Sequence, residues 1–252
     1  MNTVFGAVGL QKVKPNMSWS RRHRLPERMD DPSLSTDEHR LALRGLARIN
    51  AVSRTATAVA ATLTRLATEF HLERIRVLDV ASGGGDVLLA CAKQMRRRGK
   101  VAEFAGCDRS ETAVEWANRS AARQSLHQVR FFRHDVVSQP LPREYDVVVS
   151  TLFLHHLSDA QAELVLRRMA SAARRAVIVD DLRRGPLGYW LAVAACHALS
   201  RSPIVHYDGP VSVQAAFRCD EILDLARRVE GCRWEVRRRW PQRFLLLGRV
   251  DQ

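Results

Sequence analysis

A short apolar run, Ile75 to Val80, ends in Ala81-Ser82-Gly83-Gly84-Gly85, and an apolar helical pattern follows from Val87 to Met95. Strand, glycine turn, helix: no other stretch constrains the chain as much. Glycine is needed where backbone must approach a ligand closely or take a positive φ. The turn also presents the unpaired N–H groups of the helix start to whatever binds there. In a parallel sheet such a site sits at the carboxyl end of the first strand. The feature points to a nucleotide-like cofactor.

From Arg74 onward, strand and helix patterns alternate, the signature of a parallel sheet covered by helices. Strands are expected near Ile75–Val80, Ala102–Cys107, Gln128–Phe132, Tyr145–Ser150 and Ala176–Asp180. Helices are expected near Asp86–Arg98, Glu111–Gln124, Asp159–Arg174 and Asp220–Val229. Trp234–Arg239 and Arg243–Val250, parted by Trp240-Pro241-Gln242, read as an antiparallel pair. Two helices precede this core. Ser35-Thr36-Asp37-Glu38 opens the first as a capping box, and an alanine-rich pattern from about Val52 to Phe70 makes the second. Residues 1–30 are polar and basic, either a mobile arm or a segment folded over a site.

Composition narrows the class. A chain of 252 residues with 46% hydrophobic content can bury one substantial core. Five cysteines without C-x-x-C spacing read as reduced thiols in a cytoplasm, and no ligand spacing marks a metal site. No signal peptide or transmembrane stretch is visible. The net charge of +13 invites a nucleic-acid reading, but 36 of the 40 basic residues are arginine and lie dispersed in pairs and triplets. A solvated surface is the better reading, and a nucleic-acid partner is not expected.

The register Asp79-x-Ala81-x-Gly83-x-Gly85 puts an acid at the strand end. It resembles motif I of the class I S-adenosylmethionine-dependent methyltransferases, acid-x-Gly-x-Gly-x-Gly, with Ala81 replacing the first glycine. A dinucleotide pyrophosphate would be repelled by that acid, whereas the ammonium of S-adenosylmethionine is attracted. The ending Gly85-Asp86 looks most like the ubiquinone/menaquinone-biosynthesis branch. The resemblance covers about residues 72–250 and implies an α/β fold: a Rossmann-like three-layer sandwich whose seven-stranded, mostly parallel sheet has a reversed last strand. N-terminal helices (residues 1–71 with the arm) would cap it. The methyltransferase domain, 72–252, would carry a substrate-facing helical insertion, 183–217, before the sixth strand.

Candidate cofactor residues are Asp79, Ala81, Ser82, Gly83 and Gly85 in the turn, Asp108 and Arg109 after the second strand, Asp135 and Val136 after the third, and Thr151 after the fourth. An acid at Asp108 suits ribose hydroxyls, though it also suits a helix cap. By the resemblance, Asp135 and the Val136 backbone meet adenine. Leu154-His155-His156-Leu157 follows the fourth strand, as is frequent in the resembling family. A histidine there can take a proton from a hydroxyl acceptor. His206-Tyr207-Asp208 forms a second polar cluster, either orienting a substrate hydroxyl or merely part of a surface loop shaped by Pro203, Gly209 and Pro210. Of Asp180-Asp181, one is expected to be buried against the sheet and the other to reach the pocket. Catalytic candidates are His155, His156 and His206; acceptor-side candidates are Leu154, Tyr189, Tyr207 and Asp208. The expected activity is S-adenosylmethionine-dependent O- or C-methylation of a small apolar acceptor, aromatic, quinone-like or polyketide. An RNA methyltransferase, or a non-catalytic protein that kept the fold, are the alternatives. No Asn-Pro-Pro-aromatic signature follows the fourth strand, which disfavours methylation of DNA amino groups or glutamine amides.

Overall fold

The computed structural model describes residues 19–31 and 33–251. The expectation for the arm therefore divides: residues 1–18 lie outside the described residues, and 19–31 fold onto the body. Two helices follow, α1 (Thr36–Val52) and α2 (Thr55–Glu69). Ser35 and Glu38 complete the expected capping box on α1. The second helix starts at Thr55 and not Val52, because Arg54 turns the chain at φ 54°.

The sheet strands are β1 (Arg74–Val80), β2 (Val101–Asp108), β3 (Val129–Arg133), β4 (Tyr145–Thr151), β5 (Ala173–Leu182), β6 (Cys232–Arg239) and β7 (Arg243–Val250). Their order is β3-β2-β1-β4-β5-β7-β6, with β7 antiparallel to both neighbours. Helices α3 (Asp86–Arg97), α4 (Glu111–Arg123), α5 (Asp159–Ala172) and α8 (Cys219–Ala226) cover it. Alternation along β1 splits the core: Ile75 and Val77 join the α2–α3 side, and Leu78 and Val80 join the α5–α8 side. Helix α5 stops at Ala172, two residues early, and β5 begins at Ala173 where a helix was expected. Pairing of Ala173 with Tyr145 overrides local helix propensity there.

The insertion is two helices, α6 (Pro186–Leu199) and α7 (Pro203–Ala215). Pro203 is a loop signal by residue preference. It occupies the first turn of α7, where its missing N–H would be unpaired in any case. Helices α6 and α7 pack on α1, and α7 also packs on the short turn Leu154–His156 that follows β4.

Register aligns the strand ends. Val80 pairs with Cys107 on one side and Ser150 on the other, and Thr151 pairs with Asp180. Ala81, Asp108, Thr151 and Asp181 thus reach one edge of the sheet, beside the point where strand order reverses between β1 and β4. Open parallel sheets bind ligands at that place.

Candidate active site

The glycine turn is held by backbone. Ser82 N–H donates to the Cys107 carbonyl at 2.9 Å, and Gly85 N–H to the Ser82 carbonyl at 2.9 Å. Ala81, Gly83 and Gly85 all take positive φ, 55°, 52° and 75°. A side chain at Gly85 would strike Phe131 at 2.5 Å, so that glycine serves packing. One at Gly83 would meet nothing within 4 Å, which leaves open space beside the backbone. Asp108 ties the two halves together, accepting from Gly83 N–H and Ser110 N–H at 2.8 Å each. A carboxylate has about four lone-pair sites, so two remain for hydroxyls. Gly106, which sequence reasoning passed over, admits the Phe131 ring: a Cβ there would lie 2.4 Å from it.

Three carboxylates crowd this turn. Asp79 is 1% exposed, and its Oδ1 has no partner among the described residues. Burial raises its pKa well above the usual carboxylate range, and the Asp86 and Asp108 charges raise it further. Burial likewise raises Asp86, against a 3.1 Å hydrogen bond from Asn50. Burial raises Asp108 also. Burial outweighs the help that Arg243 gives Asp86 and that Arg109 and His39 give Asp108, and Asp79 has no such help; buried acids are costly, so the turn suits a cationic ligand. The ammonium and sulfonium of S-adenosylmethionine fit this donor set, and the space beside Gly83 admits close approach. A cleft of about 290 Å³ opens among Leu43, Arg44, Gly84, Asp86, Lys93 and Trp116. It reaches the turn from the helix side, and Asp108, Asp135, Val136 and Thr151 do not line it.

The other cofactor candidates are placed as follows. Asp135 accepts from Val137 N–H (2.9 Å) and Ser138 Oγ (2.8 Å), shaping the turn after β3. The Val136 side chain is buried, as is Thr151 at the end of β4. Arg109 reaches Asp30 of the arm at 2.7 Å.

A second cavity, about 250 Å³, lies between the arm and the turn after β4, lined by Arg24, Glu27, Asp30, His155, His156 and Ala215 among others. His155 Nδ1 lies 2.7 Å from Asp181 Oδ1. Asp181 also accepts from Leu182 N–H at 2.7 Å and His155 N–H at 3.2 Å. Burial opposes charge on Asp181, but the His155 ring and these bonds outweigh it and hold the carboxyl below its ordinary range. In the neutral ring, a carboxylate partner favours the tautomer with its proton on Nδ1, which turns Nε2 toward the cavity as an acceptor. That Nε2 lies 3.7 Å from Glu27 Oε1. His156 stacks on His155 with ring centres 4.3 Å apart. Burial works against its charge, but Glu27 and Asp30, at 3.7 and 3.5 Å, raise it to about 9. His156 is therefore a cation at neutral pH. Glu27, His155 and His156 each bring one ligand atom within 4.8 Å of the others, a set that could hold a metal ion.

Several acceptor-side expectations change. Leu154 is fully buried in the α5–α8 core and does not line the cavity. His206, Tyr207 and Asp208 do not converge, because consecutive helical residues point about 100° apart. His206 Nε2 meets the Ser200 carbonyl at 2.8 Å, and its ring stacks on His197. Tyr207 lies under the Arg28 guanidinium, 4.3 Å from ring centre to Cζ. Asp208 accepts from Arg28 N–H (2.8 Å) and Met29 N–H (3.0 Å), so it anchors the arm. Burial, with Glu27 nearby, pushes it up to about 7. Tyr189 is buried with its ring edge-on to Trp19. Both Asp180 and Asp181 are buried. Asp180 pairs with Arg239 at 2.6 Å, and Asp181 is the one beside the cavity. The sequence carried no signal for Glu27 or Asp30, because residues of an irregular arm have no periodicity to place them.

Comparison with known proteins agrees with this fold. A family described as methyltransferase domain matches residues 77–176. By sequence, no curated protein matches the chain. The fold is similar to the magnesium protoporphyrin IX methyltransferase of Synechocystis PCC 6803 with bound S-adenosylhomocysteine: 19% identity, TM-score 0.56, 89% of this chain and 92% of that one. It is also similar to the plantazolicin methyltransferase BpumL with S-adenosylhomocysteine (13%, TM-score 0.61, 86% and 96% covered). A third likeness is an S-adenosylmethionine-dependent methyltransferase from Aquifex aeolicus (18%, TM-score 0.53, 74% and 88% covered).

Proposed function

We propose that this S-adenosylmethionine-dependent methyltransferase of class I fold methylates a small apolar acceptor at oxygen or an activated ring carbon. The reading extends to a cytoplasmic enzyme of secondary or cofactor metabolism. One observation carries it: His155, oriented by Asp181, offers Nε2 to a cavity of about 250 Å³ at the same strand edge as the acid-lined glycine turn. That cavity suits a small molecule. The relatives named for magnesium protoporphyrin IX and plantazolicin support a small acceptor.

The bound cofactor supplies an activated methyl on a sulfonium. The chain would then position and deprotonate. Asp79 and Asp86 would hold the cationic end, Asp108 the ribose hydroxyls, and Asp135 with the Val136 backbone the adenine. His155 Nε2 would receive the acceptor proton, and Asp181 would stabilise the imidazolium so formed. Cationic His156 would favour an acceptor oxygen as it gains negative charge. The arm excludes water from this side, and alignment of acceptor, methyl and leaving group does much of the rest.

The test uses labelled cofactor with phenolic, hydroxyquinone and polyketide acceptors, and tRNA beside them. Wild type should label at least one small acceptor. His155→Gln should keep cofactor affinity and lose on the order of 10²–10⁴-fold in turnover, as removal of a general base does. Label in tRNA alone would replace this reading with the RNA one. Undiminished turnover in His155→Gln would leave alignment as the whole mechanism.

A further inference from the structure

Exposed large apolar side chains are few among the described residues: Val52, Val101, Leu164, Leu187, Trp190 and Trp240. Four of them gather on one surface. Leu187 and Trp190 lie on the first turn and a half of α6, 53% and 61% exposed, and Trp240 at the β6–β7 turn is 73% exposed. That turn abuts α6: Arg183 N–H donates to the Gln242 carbonyl at 3.0 Å, and a side chain on Gly188 would touch Gln242 at 3.4 Å. Arg239 joins it to the end of α1, donating to the carbonyls of Ser53 and Trp240 at 3.0 Å each, which brings the α1 end, with Val52, to the same side of the molecule as the tryptophan's turn. Along α6 the outer face continues through Ala194 and Ala198, also exposed.

The charge on this surface has one sign. Residues 183–217 contain a single acid, Asp208, which is buried against the arm. Exposed arginines bracket α6 instead. Arg54 stands at the Val52–Trp240 end, while Arg48, which caps the Leu199 carbonyl, and Arg201 stand at the other. A second copy of this chain is a poor occupant, because a two-fold contact would set the same cations against each other. Among the described residues no helix is long and apolar enough to cross a membrane. Exposed tryptophans with arginines at the margin suit the boundary between acyl chains and headgroups, and the arginines suit anionic headgroups.

We infer that the outer face of α6, with Trp240 and Val52, seats this protein on an anionic lipid surface. The inference stands apart from the methyl-transfer reading, since vesicle binding needs neither cofactor nor acceptor.

Sedimentation of the full chain with phosphatidylglycerol-containing vesicles, and with phosphatidylcholine vesicles, tests it. Wild type should bind the first and at least tenfold less well the second, with loss at high salt. Trp190→Glu with Trp240→Glu should lower binding tenfold or more while circular dichroism and S-adenosylhomocysteine affinity stay as in wild type. Arg54→Gln with Arg201→Gln should weaken it without disturbing the apolar contact, keeping the inference testable if the tryptophan variant misfolds. Four results would overturn it: no sedimentation with anionic vesicles at low salt; equal binding by the tryptophan variant; a dimer that Trp190→Glu dissolves without any vesicle binding; or binding that emerges only when residues 1–18 are deleted, which would make that segment the occupant.

Discussion

Ala81 and Gly83 share a left-handed backbone with opposite consequences. At Ala81, φ 55° costs an L-residue about 1 kcal/mol, so Ala81→Gly should stabilise, net of the extra chain entropy, and raise Tm by about 1–3 °C. A lower Tm would mean the Cβ makes a contact worth more than the strain. His156 sets a pH dependence. Its folded pKa, about 9, lies above the ordinary 6.5, so its contribution is full below pH 6.5 and lost as pH rises through 9. Asp208, at about 7, acts in the same direction over a lower window, because only the folded state keeps that proton between about pH 4 and 7. Thermal melts should therefore decline from pH 5 to 9. His156→Gln should flatten the upper part of that decline, by at most about 3 kcal/mol. An unchanged upper slope in that variant would show that the arm's carboxylates do not grip it.

The arm and α7 are the elements the sequence left least defined. The alternating core was legible because period-2 and period-3.6 patterns persist over whole elements and end in recognisable turns, as at Gly83–Gly85 and Trp240-Pro241-Gln242. The insertion was harder to read. Pro203, Gly209 and Pro210 are turn residues by preference, yet burial of Ile204, Val205 and Val211 makes a helix of them. The arm's place depends on long-range bonds with no local signature. Arg22 donates to the carbonyls of His155, Leu157 and Ala215 at 3.1, 2.8 and 2.7 Å, and Asp208 catches Arg28 and Met29. Asp208→Ala leaves those two N–H groups unpaired, a loss of about 1–3 kcal/mol. Amide exchange at residues 27–30 should quicken while exchange in β1 and β4 stays slow. Uniformly faster exchange would instead mean the arm and the sheet open together.

At the scale of the whole molecule, the sheet edge does the work: β1, β2, β4 and β5 end in register, and the glycine turn, Asp108 and the His155–Asp181 pair collect there. Ion pairing leaves the net charge of +13 in place, but it disperses the arginines: Arg74–Glu103, Arg130–Glu144, Arg167–Glu163 and Arg249–Glu69 are surface pairs of 2.7–2.9 Å on different elements. Binding to tRNA should accordingly fade between 50 and about 200 mM salt, the range in which purely electrostatic contacts are lost. Tight binding at the upper end would revive a nucleic-acid partner.

The central claim is that the acid-lined turn at the end of β1 receives S-adenosylmethionine. Calorimetric titration of S-adenosylhomocysteine into wild type and Gly83→Val tests it most directly. Wild type should bind S-adenosylhomocysteine and ignore NAD. The variant, whose branched side chain would enter the open space beside the backbone at φ 52°, should bind at least tenfold more weakly with its melting transition retained. Tight NAD binding by wild type, or equal S-adenosylhomocysteine affinity in the variant, would contradict it.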